Sequence, residues 1–120
     1  MKHLLILSSL LLIFSCSAQQ NKAKILNQQE FSKELKAKQN AQLIDVRTPG
    51  EYQGGHLDGA RNIDYLDESF ATKIETLDKN RPVFVYCQAG GRSGRAASML
   101  VKAGFKEVYD LRGGYGAWKK

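Results

Sequence analysis

Cysteine is nearly absent from this chain: Cys16 and Cys87 are the only two among 120 residues. Cys16 ends an apolar leader that either is removed with it or leaves it acylated, so a thioredoxin-like dithiol mechanism is excluded, and chemistry at Cys87 must proceed with one thiol. Histidine is as scarce, with His3 and His56 alone. Beyond the first twenty residues no apolar run approaches the roughly 20 residues that a membrane span requires. Internal repeats, low-complexity tracts and interdomain linkers are also missing, so the length allows one domain at most. Charge of one sign is short: 12 Asp and Glu stand against 18 Lys and Arg, a net charge of +6. Part of the excess sits at Lys22, Lys24, Lys33, Lys36 and Lys38, with Glu30 and Glu34 interspersed. That mixture reads as a solvated helix face and excludes nucleic acid as the expected partner, while the general basicity attracts small anions.

What is present begins with a leader. Lys2 and His3 precede an apolar stretch from Leu4 to Phe14, and small residues follow, so residues 1–18 read as an export signal. Ile13-Phe14-Ser15-Cys16 resembles the lipobox of bacterial lipoproteins, which implies acylation of Cys16 and a periplasmic protein anchored to a membrane by its lipid. Cleavage after Ala18 would instead release a soluble exported form. Either way residues 19–24 form a polar tether, the folded domain occupies residues 25–120, and Cys87 is the one free thiol of the mature chain.

Along that domain, residues 27–38 form an amphipathic helix with Phe31 and Leu35 on one face, opened by Asn27 with Glu30 in a capping box. A strand follows over residues 41–46, then a turn at Thr48-Pro49-Gly50 and a helical turn ended by Gly54-Gly55. A short strand spans residues 60–63, and Phe70, Ile74 and Leu77 recur at helical spacing within residues 67–77. Val83 to Tyr86 is a buried strand, residues 93–103 a helix capped by Ser93 and stopped at Gly104, and residues 107–111 a last strand. Alternating strands and helices predict an α/β fold, a mainly parallel sheet with helices on both faces. Ligand sites in such sheets lie beyond the carboxyl ends of the strands, where Cys87 is placed.

A lone cysteine after an apolar strand is by default an inert filler of the core. The loop after this one argues otherwise. Gln88-Ala89-Gly90-Gly91-Arg92-Ser93 carries two consecutive glycines, which let the backbone turn its amides toward one point, and it leads into a helix whose amino end is positive. Arg92 adds a fixed charge or a tie to a neighbouring carboxylate. These features lower the pKa of Cys87 and favour its thiolate.

Three stretches together, LIDVRTPGEYQGGHLDGARNI (Leu43 to Ile63), VYCQAGGRS (Val85 to Ser93) and LRGGYGAW (Leu111 to Trp118), resemble the single-domain rhodaneses, a sulfurtransferase family. The resemblance implies that Cys87 is catalytic and carries a persulfide surrounded by the amides of Gln88 to Arg92. It implies a small sulfur-donor anion such as thiosulfate and a thiol, cyanide or protein acceptor, with no cofactor and no metal. Asp45 and Arg47 would support the site as an ion pair or hydrogen-bond set, Arg47 also being placed to steer anions. His56 would be structural and Trp118 a core or end-capping aromatic. Cysteine-dependent phosphatases and arsenate reductases need Cys-x5-Arg to enclose a tetrahedral oxyanion, whereas the spacing here is Cys-x4-Arg. A different class remains open on sequence alone: a module that carries or senses sulfane sulfur without turnover.

Overall fold

The computed structural model describes residues 22–120. The signal over residues 1–18, Cys16 within it and residues 19–21 of the tether lie outside the described residues. The elements are β1 (Lys24–Leu26), α1 (Gln28–Ala37), β2 (Gln42–Asp45), α2 (Pro49–Gln53), β3 (Arg61–Asn62), α3 (Phe70–Ile74), β4 (Val83–Tyr86), α4 (Gly91–Lys102) and β5 (Val108–Leu111), followed by a 3-10 turn at Tyr115–Ala117. All strands pair in parallel, in the order β1-β5-β4-β2-β3.

The sheet is parallel because every connection between neighbours carries a helix or a long loop across one face. Its three central strands, β2, β4 and β5, are buried on both faces, and alternation divides their side chains into two cores. Ile44, Val46, Val83, Val85 and Val108 pack with Phe70 and Ile74 of α3 and with Ala96, Ala97 and Leu100 of α4. On the opposite face, Leu43, Phe84, Tyr86, Tyr109 and Leu111 pack with Phe31 of α1, and Trp118 closes that side edge-on against Phe31. The expected α/β sheet covered on both faces is therefore the observed one.

Several local expectations shift. The strand β1 was not separable from the tether, and it begins at Lys24 by pairing with β5 at the sheet edge. Asn27 accepts the Glu30 amide at 2.9 Å, which is half of the expected box. The complete capping box forms instead at Thr48 and Glu51, so the Thr48-Pro49-Gly50 turn is the start of α2. Ser93 does not cap α4: the helix begins at Gly91, with Gly90 at φ 120° before it. A left-handed glycine makes the turn three residues earlier than a cap at Ser93 would, and this moves Ser93 into the first turn of the helix, where it is fully buried.

Candidate active site

β4 is the middle strand, and all four of its residues are buried. It delivers Cys87 to the carboxyl edge of the sheet, at the start of α4, with 1% of its surface exposed. Burial alone would make the thiol inert, but polar groups converge on the sulfur. The Gly90 amide donates to Sγ at 2.9 Å, and Ser93 Oγ lies 3.4 Å from it. Burial pushes the Cys87 thiol up. The Ser93 hydroxyl and the amides of Ser93, Gly90 and Ala89 outweigh that penalty and draw it below the ordinary thiol value. Backbone donors with fixed direction favour an anion at this one atom.

Two layers hold the loop in that shape. Asp45 and Arg47 form a buried ion pair: Arg47 Nη2 meets Asp45 Oδ2 at 2.8 Å, with side-chain exposures of 3% and 0%. Arg47 then reaches past Asp45, donating to Gln88 Oε1 at 3.1 Å and to the Gly55 carbonyl at 2.7 Å, with its guanidinium over the Tyr115 ring. It thereby joins the loop after β2 to the cysteine loop. Arg47 is 2% exposed, and its guanidinium is bonded to Asp45, Gln88 and Gly55, an arrangement that fixes Gln88.

The second layer is the closing segment around the 3-10 turn at Tyr115–Ala117. Tyr115 donates its amide to the Cys87 carbonyl at 2.8 Å, and Gly116 donates to the Gln88 carbonyl at 2.9 Å. Gly114 sits at φ 62°, and a Cβ there would lie 2.4 Å from the Cys87 carbonyl oxygen. The backbone of residues 114–116 can pass this close only without side chains at that point. The signal was the glycines of LRGGYGAW; what sequence could not show is that two of them, Gly114 and Gly116, face the cysteine loop.

Arg92 resolves to the tie rather than the free charge. Its Nη1 and Nη2 bond Glu51 Oε1 and Oε2 at 2.7 and 3.0 Å, linking α4 to α2. Arg92 holds the Glu51 carboxyl down at about 2, with burial opposing and Thr48 assisting. His56 is exposed, stacked on Tyr52 at 3.7 Å, with Nδ1 2.9 Å from the Tyr52 carbonyl oxygen, and has no contact with the sulfur. Tyr86 extends the buried framework: its hydroxyl accepts the Leu57 amide at 3.0 Å. Among the described residues no cluster of His, Cys, Asp and Glu has the arrangement of a metal site.

Comparison with known proteins places the fold. The rhodanese-like domain family model matches residues 27–120. The protein YqhL of Bacillus subtilis is 45% identical over 107 residues, covering 89% of this chain and 81% of its own. The thiosulfate sulfurtransferase GlpE of Pseudomonas putida is 38% identical over 90 residues, covering 75% and 80%. Among solved structures, a rhodanese-like domain protein from Staphylococcus aureus superposes with a TM-score of 0.70 at 26% identity, over 81% of this chain and 92% of that one.

Proposed function

Because the chain belongs to the rhodanese-like domain family, we propose that it is a sulfurtransferase that moves sulfane sulfur from a donor such as thiosulfate through a persulfide on Cys87. The observation that carries this reading is the convergence of the Gly90 amide and the Ser93 hydroxyl on a buried Sγ whose thiol is drawn down despite its burial. A relative 38% identical bears the name thiosulfate sulfurtransferase, which supports the choice of donor.

The Cys87 thiolate attacks the outer sulfur of thiosulfate. A new S–S bond forms to Sγ, the bond to the sulfonate sulfur breaks, and sulfite leaves with its electron pair. The product is an anionic persulfide one atom beyond Sγ, where the amides of the loop and the amino end of α4 stabilise it. A thiophilic acceptor such as cyanide, a small thiol or a thiol on another protein then attacks that outer sulfur. The S–S bond breaks and the Cys87 thiolate is restored. Export as a lipid-anchored periplasmic protein is part of the same reading and rests on Leu4 to Phe14 and on Cys16 in the sequence.

The loop disfavours phosphoryl transfer. A phosphatase aims its arginine at the bound oxyanion, whereas Arg92 is engaged by both oxygens of Glu51. The test is steady-state production of thiocyanate from thiosulfate and cyanide. Turnover that Cys87→Ser abolishes supports the proposal. A stable Cys87 persulfide without turnover would assign a carrier, and phosphate released from an aryl phosphate would assign the other chemistry.

A further inference from the structure

Asp110 takes no part in the scheme above, yet it is an acidic residue with only 5% of its surface exposed. Its Oδ1 is buried and has no hydrogen-bond partner among the described residues. A buried carboxyl left in this state costs stability and calls for an explanation. Asp110 also lines a groove of about 630 Å³ at the edge of the sheet, a volume in the range of small-molecule sites.

The groove follows from how α4 sits on the sheet. The helix covers β4 and β5, while β1 pairs on the outer side of β5 and sets Ile25 beside Asp110. Ile25 is 57% exposed, so this face of β1 is left open beyond the helix. Gly94, Ala97 and Val101 line the space from α4 at helical spacing, so the groove runs along one stripe of the helix. The first two are small and leave room that larger side chains would fill. Apolar groups thus form the walls, and charged groups mark the ends. A Cβ on Gly94 would stand 3.8 Å from Asp110 Oδ2, which puts the carboxyl at the first turn of α4. Lys102, in the last turn, follows Gly94 by about 12 Å of helix. Lys22 precedes Ile25 by up to roughly 10 Å of chain. Both lysines line the groove, and both are exposed.

We propose that this groove binds an extended zwitterion: an ammonium group on Asp110, an apolar middle along Ala97, Val101 and Ile25, and a carboxylate at the end lined by Lys22 and Lys102. Each part answers a feature of the groove. The ammonium supplies the donors and the opposite charge that the buried carboxyl lacks. The lysines disfavour a second cation at the far end and favour an anion there. A span of about 10 Å is that of three extended residues, so a short apolar peptide carries the required ends. An ω-amino acid of similar reach carries the same two groups. The lining side chains are other than Cys87, so the inference stands apart from sulfur transfer.

Isothermal titration calorimetry of the full chain tests this with two probes, ω-aminooctanoate and trialanine. At least one should bind with one-to-one stoichiometry, and the tighter of the two tells a free amino acid from a peptide as the source of the ligand. The N-acetyl derivative of that probe keeps its chain and carboxylate and loses the charged amine. It should bind the parent at least about tenfold more weakly, the worth of a hydrogen bond between charged groups. Asp110→Asn should weaken the free amine by a similar factor and leave the acetylated form unaffected. Lys102→Gln, at an exposed position, should cost about two- to fivefold. Cys87→Ser should bind as the parent does. Binding of neither probe, an affinity unchanged in Asp110→Asn, or an acetylated probe as tight as the amine would overturn the proposal. Binding lost in Cys87→Ser would do the same, by placing the ligand at the sulfur. Asp110→Asn and Asp110→Ala both remove an unpartnered buried carboxyl, so both should resist urea at least as well as the parent, and the acetylated probe needs no variant.

Discussion

Asp45 and Arg47 illustrate how much of this site rests on single side chains. Their charges have almost no access to water, so removing one leaves the other buried and uncompensated. Asp45→Ala should cost about 3–5 kcal/mol in urea unfolding and should release Gln88, whose side chain Arg47 holds. Tyr86→Phe is a milder case: the Leu57 amide loses its buried acceptor, at a cost of about 1–3 kcal/mol, with the cysteine loop left in place. Ser93→Ala removes the hydroxyl that most favours the Cys87 thiolate. The pH profile of Cys87 alkylation by iodoacetamide should therefore shift to higher pH in that variant, since the thiol regains a proton more readily; a shift to lower pH would contradict the arrangement of donors described above. Sequence disclosed Cys87 and its loop because their chemistry shows in residue type and spacing, whereas the Asp45/Arg47 pair was legible only through the family resemblance. It misplaced Ser93, because residue type permits a serine to cap a helix or to face a sulfur, and the choice was made by Gly90 taking a left-handed turn.

Elements meet at the cysteine loop in ways that local pattern does not reveal. The segment after β5 is far from Cys87 in sequence, yet its backbone closes the outer side of the loop through Tyr115 and Gly116. Gly114→Ala would put a methyl group against the Cys87 carbonyl and a side chain in a left-handed conformation. The expected result is a loss of more than about 2 kcal/mol in unfolding together with reduced turnover, because the displaced backbone is the one that carries the amides. Between α2 and α4 the tie is Arg92 to Glu51. The Glu51 carboxyl is depressed to about 2 from its ordinary 4.5, so the stabilisation it provides is present above the ordinary value and is lost as pH falls through about 2. Both side chains are partly exposed, and the pair should contribute on the order of 1 kcal/mol or less. Stability measured in acid should show this loss in the parent and lack it in Glu51→Gln. The strand β1 escaped sequence reading for a related reason: three residues, two of them exposed, carry no periodicity, and only pairing with β5 makes them a strand.

At the scale of the molecule, the α/β order was legible because hydrophobic runs switch between strand and helix spacing along the chain. The split of those runs into two cores follows from the sheet being covered on both faces. Net charge also acts at this scale. Of the net charge of +6 only Lys2 lies in the leader, so the mature chain stays basic and should draw thiosulfate from solution, while Arg47 and Arg92 are both occupied by carboxylates. The apparent KM for thiosulfate should therefore rise with ionic strength while kcat changes little, as expected for diffuse attraction that salt screens. A KM indifferent to salt would remove the net charge from the account of substrate capture.

All of these expectations depend on the sulfur at Cys87 accepting a second sulfur within the ring of donors. Intact-mass and peptide-mass measurement after incubation with thiosulfate, then with cyanide, tests this most directly. The account predicts a gain of one sulfur atom confined to the peptide that contains Cys87, and its complete loss on addition of cyanide. No gain, or a gain that persists in Cys87→Ser, would contradict it.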